Sequence, residues 1–254
     1  MMRLARSVSI LAALSLALVG GCTSSTRASR VEITGSSLSS SGPLAVDVDN
    51  HAGDVRIEVD PTLTVPVVEA YAYDQSASPN EEERTGKVGP WVGASRQVGE
   101  GGTVLRVLSV RNPEYPRAVG VRIVVPSCAG VRVVNGGGNV IVRGVTGAVD
   151  IKNDGVSGRW ASLSGRVEVT TAGALSGPVR LESSVGDVEL VCGGDSDMAF
   201  EGKAEGKGQV VVHAGSTRLG WLYRDPGQVT GVLKNGTYHV QLTSRDGRAV
   251  LRLR

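Results

Sequence analysis

The chain has 254 residues, and its 27 basic and 25 acidic side chains leave a formal charge of +2, too little to draw it to nucleic acid or to an anionic surface. Aromatic residues make up 4 % of it, with a single phenylalanine, while glycine reaches 35 residues. A core of valine, leucine and isoleucine punctuated by glycine points to β-structure with many turns, and three cysteines make no disulfide framework.

Arg3 and Arg6 give a positive start, the apolar run Val8–Val19 follows, and Gly20-Gly21-Cys22 ends it. These are the parts of a secretory signal over residues 1–21, and the run falls short of the roughly 20 apolar residues of a membrane-spanning helix. Leu18-Val19-Gly20-Gly21-Cys22 resembles the lipobox of bacterial lipoproteins. The resemblance implies cleavage before Cys22, acylation of that cysteine with palmitate-type chains, and the lipid bilayer as a partner. Several acyl chains anchor stably where one binds only marginally. Thr23 rather than Asp follows the cysteine, which by the same resemblance favours the outer membrane of a Gram-negative cell. The alternative is an ordinary secretory signal with an incidental cysteine. Cleavage removes Arg3, Arg6 and no acid, so the mature chain is formally neutral.

Residues 22–43 are rich in Ser and Thr and read as a flexible tether, with Val31-Glu32-Ile33 as a weak pairing segment. From Leu44 the pattern has period two. Leu44, Val46 and Val48 alternate with Ala45, Asp47 and Asp49, and Val55, Ile57 and Val59 with Arg56, Glu58 and Asp60, around the turn Asn50–Asp54, which predicts a hairpin or two stacked strands. Val65–Tyr73 is a third strand, with Pro66 near its start. Residues 74–102 lack periodicity and read as a protruding loop, with Trp91 packing back on the body or exposed for binding. Strands resume over Val104–Val110 and Val119–Pro126.

Residues 130–191 repeat a Gly-x-apolar-x-apolar unit starting at Gly130, Gly138, Gly147, Gly158, Gly165, Gly177 and Gly186, at intervals of 8, 9, 11, 7, 12 and 9 residues. Glycine supplies the positive φ of tight turns. The apolar pair points inward, and Arg132, Asp150, Glu168, Arg180 and Glu189 point to solvent. No unit buries its own pair, whereas stacked units form one core, which predicts a β-solenoid. An antiparallel sandwich of hairpins is the rival. In a stack of single-unit coils, Cys128 and Cys192 stand about 29 Å apart, beyond disulfide reach, as buried small hydrophobes or isolated thiols.

The runs Val121–Pro126, Val131–Val140 and Gly147–Gly155, with the ending Leu233–Gly247, resemble the bacterial putative-adhesin β-solenoid domains, a class of unknown function related to the head GIN domain. The resemblance spans about residues 44–254 and leaves out the loop 74–102. It implies an all-β, single-domain solenoid of short Gly-punctuated strands and brings no active residues with it.

No chemical motif is complete. Asp47–Asp54 has His51 and Ala52 where a calcium loop needs an oxygen ligand and Gly. Asp195-Ser196-Asp197 reads as a solvated turn, and Gly136–Asn139 precedes a strand, where a phosphate cradle needs a helix. His51, His213 and His239 are too scattered to hold zinc with the cysteines. No nucleophile stands at a recognised spacing from a base. Asp150, Glu168, Asp187 and Glu189 would suit glycoside cleavage only if two of them stood roughly 5–9 Å apart in a groove. The basic end Arg245–Arg254 reads as a protected edge strand. The expectation is a non-enzymatic, adhesin-like envelope lipoprotein with Cys22 as its only assigned site. It has no catalytic residues, metal or cofactor, and its partner is an envelope protein or glycan. An envelope carbohydrate-active enzyme is the alternative, and a carrier or sensor subunit acting through residues 74–102 is a third reading.

Overall fold

In the computed structural model the described residues are 29–35, 43–73, 91–99, 102–110, 118–154 and 165–254, the side chains of residues 72 and 73 excepted. The signal segment 1–21, Cys22, residues 74–90 and the Gly158–Ser162 unit lie outside them. Twenty strands occur among the described residues, and no helix there is long and apolar enough to cross a membrane. In chain order they are β1 (Ser29–Arg30), β2 (Ile33–Gly35), β3 (Leu44–Asn50), β4 (Val55–Val59), β5 (Val67–Tyr73), β6 (Val92–Gly99) and β7 (Gly102–Ser109). Next come β8 (Ala118–Val125), β9 (Gly130–Asn135), β10 (Val140–Val145), β11 (Ala148–Asn153), β12 (Val167–Thr171), β13 (Val179–Ser183) and β14 (Val188–Cys192). The last are β15 (Met198–Ala204), β16 (Val210–His213), β17 (Trp221–Asp225), β18 (Gln228–Leu233), β19 (Tyr238–Ser244) and β20 (Ala249–Leu253).

They form two large mixed sheets. Sheet A runs β1-β5-β8-β4-β10-β12-β14-β20-β16, and sheet B runs β17-β18-β15-β19-β13-β11-β9-β3-β7-β6-β2. The chain alternates between the sheets, so β3 and β4, β9 and β10, β11 and β12, and β13 and β14 each make one tier. The pairs β7–β8, β19–β20 and β15–β16 complete seven tiers. Within each sheet neighbouring tiers pair in parallel and in register, as in Val149↔Val179 and Val167↔Val188. The hairpin alternative called for antiparallel neighbours throughout. Antiparallel pairing is confined to the ends, where β5 covers β8, β6 covers β7, and β18 with β17 extends beyond β15.

Period-two alternation sets this arrangement, because the apolar pair of each strand turns to the space between the sheets. Val131 and Val133, Val140 and Val142, Val149 and Ile151, and Leu190 with Cys192 are all buried in one cluster. Valine and isoleucine suit this position, since their branched side chains pack well on a pleated surface.

Four expectations are corrected. The glycine units alternate between sheets instead of each closing a coil, so β9, which Cys128 precedes, and β14, which Cys192 ends, are two tiers apart, where one coil per unit would set the two cysteines about six coils apart; both are buried and free. Within the predicted loop 74–102, Val92–Gly99 forms β6, because Val92 and Ala94 bury their side chains and the strand pairs with β7 along its whole length. Within the predicted tether 22–43, β1 and β2 pair with β5 and β6, and the intervening Val31 is buried and donates its N–H to the Val68 carbonyl at 2.9 Å. The basic C-terminal strand β20 is no edge, for it lies between β14 and β16.

Candidate functional site

The turn from sheet B to sheet A recurs at one place in the tiers, and a polar ladder runs beneath it. Strands β3, β9 and β11 end in Asn50, Asn135 and Asn153, which are partners in the sheet register and fully buried. Asn50 Nδ2 donates to Asn135 Oδ1 at 2.9 Å, and Asn135 Nδ2 donates to Asn153 Oδ1 at 3.2 Å. Asn153 Nδ2 also donates to the carbonyls of Gly138 and Gly165, at 2.8 and 3.0 Å. On β13 and β19 the ladder continues as Ser183 and Ser244, which donate to the carbonyls of Gly165 and Gly186. These side chains satisfy turn carbonyls that the stack hides from water. The signal in the sequence is Val-x-apolar-x-Asn or Ser, which the spacing argument overlooked. Gly138, three residues after Asn135, has φ +105°, and a Cβ there would lie 2.4 Å from the Gly53 carbonyl oxygen of the next tier. The run Gly136–Asn139 is therefore a stacked turn.

The outer face of sheet B carries a groove of about 590 Å³. Its floor is a register row of small residues, Ala45, Gly130, Ala148 and Pro178, ending at His239. The row beside it alternates in charge, from Arg106 through Asp47, Arg132 and Asp150 to Arg180. Arg132 Nη1 donates to Asp47 Oδ1 at 2.8 Å. Asp47, the first acid of the rejected calcium loop, is thus held by arginine.

The four candidate glycosidase carboxylates do not share a face. Asp150 projects from sheet B between Arg132 and Arg180, whereas Glu168 and Glu189 are register partners on sheet A. Arg166 Nη2 lies 2.9 Å from Glu168 and 3.0 Å from Glu189, and Arg252 also pairs with Glu189. Burial works to raise the Glu189 carboxyl, but Arg252 and Arg166 outweigh it and hold it below the usual range. The Arg248 guanidinium does the same to Asp187 at 2.7 Å. A glycosidase acid needs the opposite shift.

Burial pushes the Cys128 thiol up to about 11 and raises Cys192, which keeps both protonated and unreactive. Asp197 accepts the backbone N–H groups of Thr237 and Asn235, at 3.0 and 2.9 Å, which lowers it to about 2 as a brace for the β18–β19 loop. Trp91 is half-buried, and its carbonyl accepts Val110 N–H. Sequence reasoning passed over Trp221 and Tyr223, both more than half exposed on β17, with rings 6.4 Å apart and 10° from parallel. Their spacing of two on a strand is the signal that places them on one face.

The chain is structurally similar to a putative cell adhesion protein from Clostridium sporogenes, with 11 % identity over 84 % of this chain and 93 % of that one, at a TM-score of 0.44. It is also similar to a putative adhesin from Bacteroides fragilis, with 10 % identity over 90 % of this chain and 95 % of that one, at a TM-score of 0.30. No protein-family model and no curated protein matches the sequence.

Proposed function

We propose that the chain is a lipid-anchored cell-envelope module whose body is a two-strand-per-tier β-solenoid that binds a partner without catalysis. Residues 1–21 direct export and Cys22 takes the lipid, in the outer membrane where the cell has two. In-register parallel tiers around one apolar cluster support the solenoid reading. The observation that carries the binding role is the outer face of sheet B, a rigid surface grooved across six strands and lined by paired charges. Such a surface is preorganised, so little conformational entropy is lost when a ligand lies along it.

The test is fractionation of cells expressing the chain or its Cys22→Ser variant, with metabolic labelling by a palmitate analogue. The wild-type chain enters the membrane fraction and carries label, and the variant is soluble and unlabelled. Equal membrane association of the two rejects the anchor.

A further inference from the structure

Strand β17 closes sheet B, and Trp221 and Tyr223 project from its outer face with nothing among the described residues packed over them. In a chain so poor in aromatics the Phe200 ring is buried, while these two rings stand more than half exposed and nearly parallel to one another. Leaving such rings in water forfeits the favourable burial that puts large aromatics in cores and interfaces. We propose that Trp221 and Tyr223 form a platform that binds a neutral oligosaccharide. The proposal rests on the binding-module reading above and names its ligand class.

Three properties of the patch select that occupant. The first is surface chemistry. A pyranose ring presents a face of polarised C–H groups, which is attracted to the electron-rich face of an aromatic ring, and its rim carries hydroxyls that need donors and acceptors. The neighbouring strand supplies both on the same face. Thr230 stands opposite Tyr223, and Gln228 stands opposite Asp225 with its amide fixed by a 3.0 Å bond to Glu201.

The second is charge. Alternation puts Asp225, Glu201 and Lys203 on the face of the two rings and turns Arg224 to the opposite face. An anionic polymer or lipid surface gains no net attraction here.

The third is size. Two half-exposed rings offer on the order of 200 Å², far below the roughly 800 Å² per partner of a stable protein interface. A flat ligand one or two sugar rings long matches the platform, and the rest of its chain is free to run along sheet B past Val232, Ala199 and His239.

The whole chain is titrated with cellohexaose, maltohexaose and chitohexaose while tryptophan emission is followed for the parent chain and the heat of binding for the parent and every variant, with heparin as the anionic control. At least one neutral hexasaccharide shifts the emission. Trp221→Ala weakens that binding by about tenfold or more and Tyr223→Ala by several-fold, while Trp91→Ala leaves the affinity unchanged. Circular dichroism establishes that the variants are folded, as the exposure of both rings leads one to expect. The proposal is overturned by no response to any neutral hexasaccharide at about 10 mM, by equal affinity in Trp221→Ala, or by preference for heparin. It is also overturned if the platform serves only a second copy, seen as dimerisation abolished by Trp221→Ala without sugar binding. Fractionation of Cys22→Ser reads the anchor independently. An anchored chain blind to sugars loses this proposal alone, and a sugar-binding chain that stays on the membrane without Cys22 loses only the anchor.

Discussion

The Asn135 carboxamide lies between those of Asn50 and Asn153, accepting from one and donating to the other and to the Gly137 carbonyl. Three tiers are thereby joined through side chains that water does not reach. Removing such a group strands its neighbours, and an unpaired buried polar atom costs more than the lost bond is worth in water. Asn135→Ala is expected to lower stability by about 2–4 kcal/mol, read as a drop in the urea midpoint with an unchanged slope. Asn135→Asp tests charge at the same site. It is expected to destabilise further, because an ion buried among amides is costlier than the amide it replaces.

Among the strands, β20 shows how much position matters. It pairs with β14 on one side and β16 on the other, and it buries Ala249, Leu251 and Leu253. Ending the chain after residue 247 removes roughly 4 kcal/mol of burial from the two leucines alone, and it opens two unpaired edges inside sheet A. That is a large part of the ordinary stability of a domain. The shortened chain is expected to lose its cooperative thermal transition, whereas deleting Ser29–Arg30, the two-residue edge strand β1, with all that precedes it lowers the midpoint by a few degrees. A shortened chain that melts like the parent excludes the inserted position of β20. Three of the four sheet ends are closed by antiparallel strands laid on the outermost parallel ones, which keeps those edges from other chains, and the fourth is the four-residue strand β16, whose partner among the described strands is β20 alone.

Across the whole molecule, the outer faces are neutralised by arginine–carboxylate pairs, among them Arg122 with Glu58 and Glu69, Arg166 with Glu168 and Glu189, and Arg248 with Asp187. Each exposed pair contributes little alone, but three of the carboxyls move the same way. Asp187, Glu189 and Glu58 are held below their ordinary values of 3.8, 4.5 and 4.5. A folded-state value below the unfolded one adds stability that is present above the unfolded value and lost as pH falls through the folded one. Asp54 runs the other way, since burial raises it and favours its neutral form. The urea midpoint is therefore expected to hold near neutrality and to decline below about pH 4.5, less steeply in 1 M salt, where screening weakens the pairs. A midpoint that rises on acidification would contradict the assigned pairs.

Much of this was legible in the chain. Period-two alternation located the inward pairs of β9 to β14, because a strand's faces follow from side-chain direction alone. The glycine spacing marked the turns, and Asn50, Asn135 and Asn153 carried a readable repeat. The groove was not legible, since Ala45, Gly130 and Ala148 lie on three strands, Pro178 leads into a fourth, and they meet only through register. Nor was the place of β20. One valine- or leucine-rich strand can pair with almost any other, so local pattern does not choose between neighbours distant in sequence. The all-β character, the inward faces and the turns depend on residues a few positions apart, and the order of amino acids was enough to establish them. The division into two sheets, the order of the tiers and the face on which Trp221 and Tyr223 stand depend on backbone pairing between segments far apart in the chain, and these emerge only when the folded chain brings those segments together.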